Sequence, residues 1–263
     1  MKRSRDMNPA SFPVRFRTVA ALAVLLLPGA SAVAQEELPP AETKGLTWLV
    51  SPMAGFNRDE LKRRDRTGQV QAVTETAPEY GLFALVAHPR FAVNDFLFFT
   101  EAAEDTEVMG NFFHANLYGD PEAVATWNLG GGHLYHRIKP EGEDIAVRVP
   151  MAKAGLVLRV KPWRLTFNPY VGYAWERIDT LHGDTGNDSY LYGLTVDWRW
   201  RMLGINAKYY RQDSRDLDDD YENVHVRLTA GLARHWGAAV RFDHMEHAAT
   251  EDTSILAGPV YVF

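Results

Sequence analysis

Beyond residue 45, apolar and polar residues alternate in segments of about ten. The clearest runs from Tyr190 to Trp200: Tyr190, Tyr192, Leu194, Val196, Trp198 and Trp200 share one face, and Leu191, Gly193, Thr195, Asp197 and Arg199 share the other. A period of two is the spacing of a strand. Leu165, Phe167, Pro169, Val171, Tyr173 and Trp175 repeat the design against Arg164, Thr166, Asn168, Tyr170, Gly172 and Glu176, and shorter versions occur at 224–232 and 240–243. Aromatic residues fall at the ends of these segments and aliphatic residues in their middles, as two interfacial belts around an apolar band require.

The pattern predicts an all-β chain: an antiparallel up-and-down transmembrane β-barrel of about twelve strands, with ten as the alternative count. The strands are placed near 46–56, 76–88, 91–101, 108–118, 123–136, 145–160, 164–176, 189–200, 204–213, 221–233, 237–247 and 253–263. Phe96-Leu97-Phe98-Phe99 blurs the alternation of the third, and the sixth calls for a bulge near Met151–Lys153. Short turns alternate with longer polar loops, among them 57–75 and 177–188, the asymmetry of barrels with short periplasmic turns and long external loops. Residues 57–66 read as solvated loop, with room for one helical turn capped by Asn57. The competing fold is a soluble sandwich or lipocalin-like barrel with its apolar face inward.

The first 34 residues have a different character. Lys2, Arg3, Arg5, Arg15 and Arg17 precede the apolar run Val19–Leu27, and Ala32-Val33-Ala34 supplies small residues before Gln35. This is the three-part pattern of a secretory signal peptide, so residues 1–34 are expected to be cleaved. No cysteine follows, which excludes a lipid-anchored N-terminus. Residues 35–45 are acidic and proline-rich and read as a periplasmic tail; residues 46–263 form the barrel. After the leader no apolar run approaches 18 residues, so a membrane can be crossed only by a closed sheet.

The net charge is −6, and loss of the five basic leader residues against one acidic residue, Asp6, makes the mature chain more acidic still. That argues against nucleic acid as a partner. The absence of cysteine excludes disulfides, thiolate metal sites and cysteine nucleophiles. No cofactor and no metal are expected.

The last eleven residues, Thr253 to Phe263, place Ile255, Ala257, Pro259, Tyr261 and Phe263 on one face and stop on an aromatic ring. This end resembles the assembly signal of Gram-negative outer-membrane β-barrel proteins, with Ile255, Ala257, Tyr261 and Phe263 at the matching positions. The resemblance implies residence in the cell outer membrane. It implies as partners the membrane lipids, lipopolysaccharide and the barrel-assembly machinery, with a periplasmic or outer-membrane protein as a further candidate. Trp163, Tyr173, Trp175, Tyr190, Tyr192, Trp198, Trp200, Trp236 and Phe263 are the expected aromatic girdle.

If the polar face lines the lumen, Arg148, Arg164, Asp197, Arg199, Lys208, Arg227, Arg241 and Asp243 lie there. The turn at 201–203 is expected to set Asp197 opposite Lys208, and the turn at 234–236 to set Arg227 opposite Asp243. The function expected from this lumen is a porin-like passive channel acting without chemistry, with two alternatives. A mixed-charge lumen suits a porin-like passive channel for small polar solutes. The same ion pairs suit a closed barrel with a structural or partner-docking role, since small barrels are filled by their own side chains and only large ones hold open pores. The third is an outer-membrane lipid hydrolase, because outer-membrane phospholipases and lipid A deacylases also use twelve strands. Here His182, Asp184, Asn187, Asp188 and Ser189, with His225, His244 and His247, sit near the external rim, but the phospholipase His-Ser-Asn arrangement is not apparent. His133 and His136 are three apart and face opposite ways, a poor arrangement for one metal. Loop carboxylates, including Glu101, Glu104, Asp105 and Glu107, Glu141, Glu143 and Asp144, and Asp216 to Asp220, read as solvated charge, with hard cations as the alternative ligand.

Overall fold

The computed structural model describes residues 45–64, 70–102, 106–139, 144–180, 183–215, 220–246 and 250–263. The expected leader, the expected N-terminal tail up to Lys44 and most of the expected external loop carboxylates lie outside the described residues. The described chain forms twelve antiparallel strands closed into one barrel. They are β1 Thr47–Arg64, β2 Val70–His88, β3 Phe91–Ala102, β4 Thr106–Tyr118, β5 Ala125–Lys139, β6 Ile145–Val160, β7 Leu165–Thr180, β8 Gly183–Trp200, β9 Leu203–Ser214, β10 Asp220–Gly231, β11 Trp236–Glu246 and β12 Thr250–Val262. Each pairs with its sequence neighbours, and β12 closes on β1.

The apolar face points outward. Phe56, Leu82, Leu97, Leu129, Leu156, Val171, Leu194 and Ile255 are exposed on the outer wall, the face that membrane barrels turn to hydrocarbon. Between them on the inner wall lie Ser51, Asn116, Asn128, Lys153, Asn168, Ser189, Arg241 and Ser254, all buried. The lumen side also carries three apolar clusters, around Met53, Phe83, Phe96 and Leu256, around Leu134, Val149 and Ala174, and around Tyr170, Leu191 and Tyr210.

Closure is made by the terminal strand. Ala54 pairs with Ala257 and Phe56 with Ile255 across the β1–β12 seam, and Phe263 donates its backbone N–H to the Trp48 carbonyl at 3.0 Å. The Tyr261 ring packs against Trp236 at 4.7 Å and against Phe263 at 4.5 Å, so the last residues form one aromatic cluster at the end of the barrel carrying the short turns. Gly55 and Gly258 let the strands meet at this seam: a Cβ on Gly55 would sit 1.8 Å from the Ile255 oxygen, and one on Gly258 1.9 Å from the Pro52 oxygen. The ladder is interrupted at Ser51–Met53. The register there sets Pro52 opposite Pro259, two residues without N–H donors, and the Ser51 hydroxyl donates to the Pro259 carbonyl at 2.8 Å.

Several expectations are corrected. The loops at 57–75 and 177–188 are mostly strand: β1 runs to Arg64, β2 starts at Val70, and β7 and β8 are separated only by residues 181–182. Asn57 caps no helix; it is buried on the inner wall. The bulge near Met151–Lys153 is absent, since β5 and β6 keep one register from Ala125–Leu158 to Ile138–Ile145. Val149 and Met151 face inward there while the smaller Pro150, Ala152 and Ala154 face out, so the larger apolar residues lie inside without any break in the pleat. In β3, Phe96 and Phe98 turn inward while Leu97 and Phe99 remain outside, which explains the four apolar residues in a row.

The two postulated hairpin registers are each displaced by two residues. Asp197 faces Asn206, with Thr195 opposite Lys208, and Arg227 faces Arg241, with His225 opposite Asp243. The β8–β9 turn is the two residues Arg201-Met202, with Arg201 at φ 51° in the left-handed region. A shift of two leaves every side chain on its own face, so alternation alone cannot detect it. Val226→Arg, in the middle of the outer face of β10, is expected to lower stability by about 2–4 kcal/mol in denaturant titrations from lipid vesicles. Thr229→Asn on the inner face should cost well under that.

Candidate functional site

The inner wall midway along the barrel carries a belt of charged and aromatic side chains. Asp243 on β11 is its hub. It accepts a hydrogen bond from Arg241 Nη2 at 3.0 Å, a second from Arg241 Nε, and lies 2.8 Å from His225 Nδ1. The Arg241 guanidinium lies 3.4 Å from the Phe96 ring centroid, and that of Arg227 4.0 Å from Phe83. Phe96 and Phe83 come from β3 and β2, each four strands away around the wall. Such cation–ring contacts are worth about 0.5–2 kcal/mol each, more where water is excluded.

Across the lumen, Lys208 Nζ on β9 sits 3.3 Å from His114 Nε2 on β4. Five strand steps separate β9 from β4 in a ring of twelve, so this contact spans nearly a full diameter. Lys208 also lies 5.4 Å from the Tyr210 ring, and Lys153 lies 4.7 Å from Tyr170. Between these groups remains a cavity of about 10 Å³, lined by His114, Met151, Lys153, Tyr170, Leu191, Lys208 and Tyr210. That is about the room of one water molecule. The Tyr210 hydroxyl meets that of Tyr221 at 3.2 Å, which in turn reaches Met245 Sδ at 2.8 Å.

Glycines on the inner wall make this packing fit. A Cβ at Gly132 would lie 2.7 Å from His114 Nδ1, and one at Gly130 2.5 Å from Asn116 Oδ1. The Gly130-Gly131-Gly132 run therefore clears space for two large polar side chains of β4. Tyr170 lies over both Gly155 and Gly193, and Phe96 over Gly81. Glu79 reaches past Gly55 to take a hydrogen bond from Ser254 Oγ.

Of the eight lumen residues read from the sequence, Lys208, Arg227, Arg241 and Asp243 come together in the belt. Asp197 lies on the inner face of β8, held by Asn206 Nδ2 at 2.7 Å, and Arg199 shares that face near the short-turn end. Two are displaced from the lumen. Arg148 belongs to the outer face of β6, in step with exposed Pro150, Ala152 and Leu156, and pairs with Asp179 at 3.1 Å near the external rim. Arg164 is exposed at the β6–β7 turn, after the 3₁₀ turn Lys161–Trp163, with φ 51°. Around Arg148, the side chains of Tyr135, Arg137, Asp144, Asp179 and Thr180 edge an open cleft of about 360 Å³. There Arg137 grips Asp144, holding its carboxyl below the usual carboxylate range.

His114, Lys153 and the rings of Phe83, Phe96, Tyr170 and Tyr210 were not singled out by the sequence reading. Their common signal is position: each sits on a polar face opposite a glycine or a cation of another strand, a relation visible only once register is known. The girdle residues Trp175, Tyr190, Trp200, Trp236 and Phe263 are exposed, as is Trp163 in its turn, and Tyr173, Tyr192 and Trp198 share the outer parity of their strands. Ile255, Ala257 and Tyr261 point outward with Phe263.

The histidines expected at the external rim separate, and His225 lies in the mid-barrel belt instead. His225 is committed to Asp243, while His244 faces outward and meets Thr253 Oγ1 at 2.9 Å. Ser189 takes a hydrogen bond from Gln212, and Asn187 one from Ser214. Asp188 accepts from the Tyr173 hydroxyl. His182, His247 and the side chain of Asp184 lie outside the described residues. His136 turns inward between Phe98 and Phe112, and His133 turns outward onto Tyr135.

Asp243→Ala leaves the nearly buried Arg241 without its counter-charge and is expected to cost about 3–5 kcal/mol of stability in vesicles, read from the unfolding midpoint. Arg148→Ala, from an exposed pair, should cost less than about 1 kcal/mol.

Among solved structures, the chain resembles the transport unit of the autotransporter AIDA-I from Escherichia coli, at 11% identity over 94% of this chain and 97% of that one, with a TM-score of 0.50. It also resembles the translocator domain of the autotransporter NalP from Neisseria meningitidis, at 12% identity over 94% of each chain and a TM-score of 0.48. The KdgM porin matches at 9% identity over 80% of this chain and 99% of that one, with a TM-score of 0.39. At these identities the likeness is one of fold: the chain has the architecture of the outer-membrane β-barrels. No family model matches. No curated protein matches either.

Proposed function

We propose that this protein is an outer-membrane barrel whose lumen is closed by its own side chains, serving a structural or partner-docking role. The exported leader, the outward apolar face and the aromatic C-terminus support placement in the outer membrane, among lipids and lipopolysaccharide and delivered by the barrel-assembly machinery. The observation that carries the closed reading is the Lys208–His114 contact at 3.3 Å across the lumen. On one side of it, Arg241 and Arg227 lie against rings from strands four steps away, and on the other Lys153 lies over the Tyr170 ring. A wall-to-wall contact of this kind narrows the lumen at that level and supports the closed reading. On this reading the barrel carries no catalytic step and needs no cofactor.

A passive channel for small anions is the second reading. It is favoured by the sign of the belt, where Lys153, Lys208, Arg227 and Arg241 are four cations set against the carboxylates of Asp243 and Glu79.

Planar bilayers separate the two. The closed barrel is expected to give no unitary current steps, while a variant with His114→Ala, Lys208→Ala and Tyr210→Ala together should conduct. Wild-type steps with a reversal potential displaced toward that of the anion would overturn the closed reading in favour of the channel.

A further inference from the structure

Three adjacent strands break the outer apolar face. On β7 the outward series Leu165, Phe167, Pro169, Val171, Tyr173 and Trp175 carries no charge, nor does Val224, Val226, Leu228 and Ala230 on β10, or Ile255, Ala257, Pro259 and Tyr261 on β12. On β3, however, Asp95 points outward between Val93 and Leu97. On β4, Asn111 points outward between Met109 and Phe113. On β5, His133 points outward between Gly131 and Tyr135. Asn111 Nδ2 donates to Asp95 Oδ1, and the His133 ring stacks on Tyr135 at 6.4 Å. Their neighbours Leu97, Met109, Phe113, Leu117 and Leu129 are exposed. The polar group is therefore set within the apolar band and does not belong to either rim.

An ionisable group facing hydrocarbon costs several kcal/mol unless it is paired or covered. Asp95 and His133 lie on one ladder row, Asp95–Phe113–His133, with β4 between them. Two strand spacings put them about 10 Å apart along that row. A two-fold axis along the membrane normal through Phe113 sets β3 of one copy against β5 of another. Each Asp95 then faces the other copy's His133, giving two equivalent pairs across the axis. Strand tilt offsets the two by about 6 Å in height, within the combined reach of the two side chains. Beside that row runs a second, Ala115–Gly131–Ala152, whose small outward residues let two walls approach closely.

We infer that the β3–β5 face is a self-association surface, occupied by a second copy of this chain through reciprocal Asp95–His133 pairs around Phe113. The inference rests on the membrane reading of the outer face, which insertion into vesicles tests by itself.

The chain has no cysteine, so one introduced thiol reports one position. In full-length protein folded into vesicles, Phe113→Cys is expected to give a disulfide-linked dimer on mild oxidation. Val226→Cys, six strands away on the opposite wall, should stay monomeric. In the Phe113→Cys background, Asp95→Leu with His133→Leu should abolish the dimer, and the exchange Asp95→His with His133→Asp should restore it. Heat-modifiable gel migration checks that each variant is folded. Equal cross-linking at both positions, none at either, or a dimer that survives loss of both partners would overturn the inference. If the leucine variant does not fold, the comparison of the two thiol positions still decides. Failure of all proteins to enter vesicles would instead reject the membrane reading.

Discussion

On the outer-membrane reading, everything in this molecule depends on satisfying the backbone in a solvent that offers no hydrogen bonds. In hydrocarbon an unpaired N–H or C=O costs several kcal/mol, so a sheet there must close on itself. The twelve strands do this with nearest-neighbour pairing throughout, and β12 returns to β1. Once the ring is closed, the pleat sends every second side chain into a confined interior. The polar residues that could not face lipid are then compressed together.

That compression explains the composition of the interior. Twelve strands enclose more space than a small barrel, yet the inner wall here carries Phe83, Phe96, Phe98, Phe112, Tyr170, Tyr210 and Tyr221 in addition to its charges. The rings reach toward the middle and offer their faces to cations, while glycines on neighbouring strands lie beneath them. Cations outnumber carboxylates in the belt, and the aromatic faces replace part of the missing counter-charge. The filled interior is thus a product of ring size and glycine placement as much as of ion pairing.

Much of this was legible in the sequence. Alternation with aromatic ends located all twelve strands, and Val196, Trp198 and Phe242 fell on the predicted outer parity with Lys208 and Arg227 on the inner. What escaped was information that alternation does not contain. Strand register moved by two residues at both tested hairpins, because only turn geometry distinguishes registers of equal parity. Arg148 was assigned to the lumen because an arginine within a strand reads as inward, whereas at the external end of β6 the outer wall has already left the apolar band and can hold an ion pair. The Lys208–His114 bridge joins residues 94 positions apart, and no local pattern announces it.

The opposed Pro52 and Pro259 give the joint between the first and last strands a peculiar property. An intruding strand from another chain, whether a misfolded sibling or a displaced segment, would need donors along that edge to replace the native partner. At this point neither lip has one to give, and the Ser51 hydroxyl serves the Pro259 carbonyl in place of a backbone donor. The seam between the first and last strands is therefore a poor template for exchange, a form of protection against runaway assembly written into two imino acids.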